Sequence, residues 1–316
     1  LDRQSLAPYS PMRALLAMMK GWIGIVRGGV AIWLEHNPFV HAGSLAFFTL
    51  FSLAPTLIIA VTVIGVVLGQ SAAQGEIVAQ LQDTMGIEAA AAVEQAVLMS
   101  RVEATGLMPT LLGIAAILIG ATTVFAQLRY SLNVLWGVRP NPGRSGLWRL
   151  AKGRVLGLFV VLLIGLGLLL YFVSAIGLQT LAASLDPSML PPDLSQDDLL
   201  GGARWLVAIV IGALFIATLF KVLPDVVVTW QDVLPGALAT SLMLSGGRYG
   251  IATYLSKTAI TSTYGAAASV LIVLFWVYFS ALILLLGAAL TRAHLTARGR
   301  PVIPRGSAVK VVQELI

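Results

Sequence analysis

The sequence predicts an all-α, polytopic membrane protein. We expect a six-transmembrane-helix bundle, an N-terminal interfacial amphipathic helix, and short periplasmic helices between the first two spans. Three observations predict it. Six apolar runs are each long enough to cross a hydrocarbon core, which takes about 20 helical residues. No acidic residue lies inside any of them, and the basic residues gather in alternate gaps between them. Hydrophobic residues make up 58% of the 316 and charged residues 11%, against about a quarter charged in a soluble domain. In water such a chain would expose far too much apolar surface. Cysteine is absent, which excludes disulfides, thiolate metal sites and a cysteine nucleophile.

The spans read as Ala42–Gly69, Gly106–Trp136, Arg154–Ser184, Ala203–Leu223, Val233–Thr258 and Tyr264–Ala293. They must be helices. Each is continuously apolar rather than alternating, and a backbone facing lipid has to satisfy its own hydrogen bonds. Pro55, near the middle of the first run, predicts a kink. The third run exceeds what a span needs and should tilt or project beyond the bilayer. The organisation that follows is an interfacial segment at 1–41, one transmembrane domain at 42–293 and a basic cytoplasmic tail at 294–316.

Orientation follows from the gaps. Arg3, Arg13, Lys20 and Arg27 precede the first span; Arg139, Arg144, Arg149, Lys152 and Arg154 lie between the second and third. Lys221, at the end of the fourth span, borders the gap to the fifth, and Arg292, at the end of the sixth, is followed by Arg298, Arg300, Arg305 and Lys310. The opposite side holds only Arg101, Arg204 and Lys257, while Arg129 and Arg248 lie within spans. The positive-inside rule then places both termini in the cytoplasm. The net charge of +6 therefore reports cytoplasmic loops rather than a nucleic-acid surface.

Two stretches outside the spans read as amphipathic helices. In Met12–Leu34 the apolar residues keep a helical period, and Arg13, Lys20 and Arg27 repeat on the opposite face. Such a helix should lie in the cytoplasmic headgroup layer. It lacks the uninterrupted apolar core and small-residue site of a cleavable signal. Gln74–Val102 sets Ile77, Leu81 and Met85 among acids and alanines, with Gly86 as a divider. The loop Asp186–Asp198, rich in Pro and Asp, reads as irregular. No internal repeat marks an inverted-repeat transporter.

Two intramembrane stripes are candidate ligand sites. In the second span Thr122, Ala126, Arg129, Asn133 and Trp136 recur at helical spacing, and Arg129 with Asn133 could hold a lipid phosphate or another anion. The plainer alternative has Arg129 snorkelling to the interface while Asn133 bonds a neighbouring helix. In the fifth span Ala237, Ser241, Ser245 and Arg248 share a face, followed by Tyr249, with Gly246 and Gly247 weakening the helix beside the Arg. This reads either as a headgroup site opening outward or as close packing of small residues. Enzyme signatures are thin, and no enzyme activity is expected. His36, His41 and His294 form no metal-ligand spacing and read as solvated or interfacial. Asp225 and Asp232, near Pro224 and Pro235, read as turn and cap residues. No metal, cofactor or catalytic residue is expected.

The residues also resemble a family. The segments Ala42-Gly43-Ser44-Leu45-Ala46-Phe47-Phe48-Thr49-Leu50-Phe51-Ser52-Leu53-Ala54-Pro55, Leu132-Asn133-Val134-Leu135-Trp136-Gly137-Val138 and Lys221-Val222-Leu223-Pro224-Asp225 carry the resemblance. Leu234-Pro235-Gly236-Ala237, Tyr264-Gly265-Ala266 and Leu285-Leu286-Gly287-Ala288 continue it. In their order and spacing, over most of the chain, they resemble the YihY/BrkB family of bacterial inner-membrane proteins. The resemblance implies six helices and the bacterial inner membrane. It also implies an acidic residue after Gly287-Ala288, where this chain has Ala289. The ribonuclease label that the family has borne finds no His/Asp metal cluster here.

The expectation is thus a transporter or flippase-like protein for an anionic lipid or another envelope amphiphile, with Arg129, Asn133, Ser241, Ser245, Arg248 and Tyr249 as ligand residues. The competing expectation is a non-catalytic membrane scaffold or assembly partner. Membrane lipids, anionic ones in particular, are the expected partners; a homo-oligomer stays open, and no nucleic acid is expected.

Overall fold

Apolar runs of this length form helices wherever the chain is described, and what ends each one is local chemistry. The computed structural model describes residues 11–69, 75, 77–79, 81–82, 87, 90–91, 94–95, 107–143, 146–184, 196–257 and 268–311. Helices α1 (Pro11–Glu35) and α2 (Pro38–Leu68) are separated by Asn37 at φ 49°, a left-handed position that Asn tolerates better than most residues. Pro38 then opens α2, where its missing N–H costs nothing. Helix α3 (Leu107–Leu135) stops at Gly137, φ 66°, whose N–H donates to Val134 O. Strand β1 (Val138–Pro140) leads to α4 (Gly146–Ser184), α5 (Gln196–Val222), α6 (Trp230–Lys257) and α7 (Ala268–Ala297). At the end of α7, Gly299 N donates to Thr296 O and Arg300 N to Leu295 O, the Schellman pair that turns a chain back on itself. Strand β2 (Ala308–Lys310) follows.

Among the described residues, four helical stretches are long and apolar enough to cross a membrane: Ala115–Leu135, Ala151–Leu181, Leu199–Val222 and Val270–Ala297. Helix α2 runs 31 residues with Pro55 inside it. Helix α6 is more mixed, carrying Asp232, Thr240, Ser241, Ser245 and Arg248. Around the bundle α2, α3, α4, α5, α6 and α7 pack in that order, and α7 closes the ring on α2 while touching α3 and α1 as well. Small residues explain how α7 serves so many neighbours, since Ala281, Ala288, Ala289 and Ala293 are all buried on it. The main core sits toward one end, around Leu132, Trp136, Phe220, Leu223, Leu285 and Leu295.

Backbones come closest between α6 and α7. Thr240 donates to Gly236 O in its own helix, and Thr291 donates to Gly287 O in its own. A β-carbon on Gly287 would overlap Thr240 Oγ1, and one on Gly236 would overlap Thr291 Oγ1. Each threonine therefore covers the other helix's glycine. On the far side of the ring, Gly120 of α3 leaves room for the Pro55 ring, 2.9 Å from where a methyl would sit.

Several element limits differ from the sequence expectation. Helix α4 starts at Gly146 rather than Arg154, and Lys152 and Arg154 within it reach protein acceptors instead of standing in a loop. Helix α5 starts at Gln196, so Asp197 and Asp198 are helical rather than irregular; residues 185–195 lie outside the described residues. Helix α7 reaches Ala297. The expected tail is not a free appendage as far as Val311. Strands β1 and β2 pair antiparallel with Val138 opposite Lys310, and Val226 bridges Pro304. Helix α1 exists over Pro11–Glu35 and packs on α7. The residues described between 75 and 95 are helical, while Gly86 and the Tyr264-Gly265-Ala266 motif lie outside the described residues.

Substituting Gly287→Ala should lower stability by about 1–3 kcal/mol through overpacking against Thr240. Gly167→Ala, where an added β-carbon meets nothing within 4 Å, should be neutral or stabilising by up to about 1 kcal/mol. Thermal unfolding of both variants in one detergent reads the contrast, and equal melting temperatures would count against this packing.

Candidate functional site

Asp225 lies in the turn between α5 and α6, five residues before α6 begins and so too far away to cap it. Its residue is only 1% exposed. A buried carboxylate must be neutralised and bonded, and the groups that do this come from three separate segments. From α3, Arg129 Nη2 donates to both carboxylate oxygens at 2.8 and 2.7 Å. Asn133, one turn later, donates to Oδ2 at 3.0 Å and accepts the Asp225 backbone N–H at 2.8 Å. From α4, Lys152 Nζ reaches Oδ1 at 3.1 Å. From the C-terminal segment, Ser307 Oγ donates to Oδ1 at 3.0 Å and accepts from Lys152 at 2.9 Å. Arg305 N donates to Asp225 O, and its guanidinium reaches Lys221 O at the end of α5, where a cation also suits the helix dipole.

Five hydrogen bonds from four donor groups fill the roughly four lone-pair sites of this carboxylate. It has no free acceptor left for a metal or a substrate proton. Burial by itself pushes the carboxyl up, but the Arg129 charge and the hydrogen bonds from Asn133, Arg129 and Lys152 outweigh it and hold Asp225 below the ordinary carboxylate range. Two cations face one anion, so the cluster keeps a surplus positive charge. The arrangement is a lock between segments.

A second carboxylate supports it from the side. Asp232 Oδ2 accepts from the N–H and hydroxyl of Thr229, at 2.8 and 2.6 Å, and Oδ1 accepts from Arg300 at 2.5 Å. This is the reciprocal half of a capping box, extended to the chain that crosses back from α7. The expected cap role thus suffices for Asp232 but not for Asp225.

The sequence-derived residues fall into two places. Arg129 and Asn133 do hold an anion, and it is the protein's own Asp225. Thr122 and Trp136 of the same stripe are buried, whereas Ala126 is exposed. On α6, Ser241 donates to Ile209 O at 3.0 Å and Ser245 accepts from Trp205 Nε1 at 3.0 Å. Both tie α6 to α5. Arg248 Nη2 donates to the Tyr249 hydroxyl at 3.2 Å and lies 5.1 Å from that ring. Arg248 stands sixteen residues beyond Asp232 on α6, about 24 Å of helix. The two stripes therefore do not converge, and α3 is not a principal packing neighbour of α6. His294, expected to be solvated or interfacial, is instead buried and stacked on Trp22 of α1. Ala289, where the resemblance implies an acid, is completely buried in the core.

A model of the virulence factor BrkB family matches residues 31–306, which takes in the Asp225 cluster except Ser307. The chain is 28% identical over 262 residues to a UPF0761 membrane protein of Vibrio cholerae, covering 80% of this chain and 81% of the relative. It is 26% identical over 285 residues to a UPF0761 membrane protein of Stenotrophomonas maltophilia, covering 87% of this chain and 62% of that one. A UPF0761 membrane protein of Vibrio vulnificus is 26% identical over 275 residues, covering 86% and 82% respectively. No solved structure matches.

Because Asp225 is held below its unfolded pKa, its contribution to stability is present above about pH 4 and is lost as pH falls through the folded value. Asp225→Asn should therefore cost about 3–5 kcal/mol at pH 7, the expense of leaving buried cations unpaired. That deficit should shrink steadily as pH is lowered toward 3. Unfolding curves of wild type and variant across this range check it; a deficit independent of pH would refute the ionic lock.

Proposed function

The chain belongs to the virulence factor BrkB family, and from that premise we propose that it is a six-span protein of the bacterial inner membrane, with both termini cytoplasmic, that carries an anionic envelope amphiphile across the bilayer. Helices α2 to α7 are the spans, α2 and α6 joining the four that qualify by length and composition. The basic end, with Arg139, Lys152, Arg298, Arg300 and Arg305, faces the cytoplasm by the positive-inside rule. Helix α1 lies in the cytoplasmic headgroup layer with Trp22, Ile23 and Val26, all exposed, toward the acyl chains.

The observation that carries the reading is the Asp225 lock. It joins α3, α4, the α5–α6 turn and the C-terminal segment at one end of the bundle, so that end can open only if these segments move apart together. That is what a gate of a carrier requires: a charged contact, stable when closed, with members on different moving parts. In this scheme Arg129 and Asn133 serve the gate, Ser241 and Ser245 hold α6 to α5, and Arg248 with Tyr249 meets the anionic group at the opposite end. The reaction is movement rather than bond chemistry, and no enzyme activity is assigned.

A non-catalytic scaffold is the second reading, and the filled core behind the lock favours it. Its expected docking face is weakened, because Ala237 and Ser241 are buried and Gly212 of α5 lies directly against Ser241 Oγ.

The chain has no cysteine, so one engineered pair can test the gate. Val138 and Lys310 are cross-strand partners, close enough for a disulfide once both are Cys. In proteoliposomes, wild type should move a fluorescent phosphatidylglycerol between leaflets faster than protein-free vesicles do. The oxidised V138C/K310C variant should stall, and reductant should restore it. No movement by wild type, or equal movement with the pair oxidised and reduced, would overturn the carrier reading and leave the scaffold.

A further inference from the structure

Helix α1 is seated on α7 by close fit. A β-carbon on Gly28 would lie 3.8 Å from Ala293 Cβ, and one on Gly29 would press into the Leu290 side chain. Trp22 stacks on His294, with ring centroids 5.9 Å apart and planes at 16°. Among the described residues, no backbone hydrogen bond and no ion pair joins the two helices. Helix α7 is the principal neighbour of α1, and the chain leaves α1 through Asn37, at φ 49°. What keeps α1 in place is therefore a narrow contact made by a few side chains.

One member of that contact can change its charge near neutral pH, and that is His294. It is 7% exposed, and neither ring nitrogen has a hydrogen-bond partner. As a neutral ring it serves as an aromatic surface for Trp22. The charged groups that act on it are Arg298, one turn further along α7, and Asp232 at the start of α6. Asp232 is already bonded to Thr229 and paired with Arg300. Helix α1 brings Lys20 and Arg27, both exposed, and Glu35, which acts on Arg292 instead. A proton on His294 would thus put a third cation beside Arg298 and Arg300, buried and without an acceptor of its own. The face of Trp22 attracts an imidazolium, but water solvates it more fully once α1 lifts away.

We propose that His294 is a proton-operated catch on α1: the helix stays seated on α7 while the imidazole is neutral and is released from it when the ring takes a proton. The released form holds more protons than the seated one, so acid favours release. Seating is complete well above about pH 6.5, where a solvated histidine titrates, and is lost as pH falls below it. The catch does not depend on the carriage of any amphiphile. A failed flux assay would leave it standing, and its own failure would leave the carrier reading untouched.

Because the chain has no cysteine, two spin labels can be attached at one engineered pair. Gly24→Cys on α1 and Ala297→Cys on α7 suit this, since both positions are exposed and a β-carbon on Gly24 meets nothing within 4 Å. The distance between the labels is measured by pulsed electron resonance, on the full chain in nanodiscs of phosphatidylethanolamine and phosphatidylglycerol. Measurements at about pH 8 and about pH 5 bracket the histidine range. One narrow distance should hold at the higher pH. A longer and broader one should replace it at the lower, the ratio of seated to released chains falling by up to about tenfold per pH unit. His294→Phe keeps a ring against Trp22 and cannot take a proton, so its distance should be the same at both. If melting in detergent shows that His294→Phe does not fold, His294→Gln, which also cannot take a proton, replaces it. An unchanged distance in the labelled chain that keeps His294, or an equal change in the variant that cannot titrate, overturns the proposal.

Discussion

The buried carboxylate of Asp225 is the constraint around which this end of the molecule is arranged. An ionised group with 1% exposure is tolerable only with charges and donors on every side. Those partners are scattered through the chain, on α3, on α4 and beyond α7. Meeting the requirement forces α3 and α4 to present Arg129 and Lys152 at one level, and it draws the segment 303–311 back across the helix ends. The short β1–β2 ladder, the Val226–Pro304 bridge and the Arg305 contacts at the end of α5 are the backbone consequences. Ion pairs of this kind contribute less to net stability than to the uniqueness of an arrangement, which suits a contact that registers four segments.

The packing of α7 answers a different requirement. Lipid provides no hydrophobic drive for apolar helices to associate, so contact has to come from close van der Waals fit and from interhelical polar bonds. The reciprocal Gly236/Thr291 and Gly287/Thr240 contacts supply the fit. The Ser241–Ile209 and Trp205–Ser245 bonds supply the polar links on the other side of α6. Helix α6 is thereby held on both flanks by residues too small and polar to look like a lipid-facing span. Its modest apolarity is the cost of its role between two neighbours.

Charge connects the lock to the membrane. The Asp225 cluster keeps one positive charge more than it neutralises. Anionic headgroups at this end would meet that field.

Helices were legible in the sequence because a bilayer imposes a crude, local rule. A run of about 20 apolar residues must be helical, and alternate basic gaps set its direction, whatever it packs against. Arg129 and Asn133 were legible as a pair for a similar reason, since four-residue spacing guarantees a shared face. Their partner was not legible. Asp225 lies more than ninety residues away in sequence, and an Asp after a Pro at a helix end looks like any turn residue; only its distance from the start of α6 argued otherwise. Lys152 and Arg154 read as loop charges because hydropathy records what a side chain is and not where it reaches. The sequence by itself thus determined the membrane setting, the helices and the charged end. Which cation meets which acceptor was decided only by the tertiary structure, because that depends on the relative rotation and height of helices, and no local pattern encodes either.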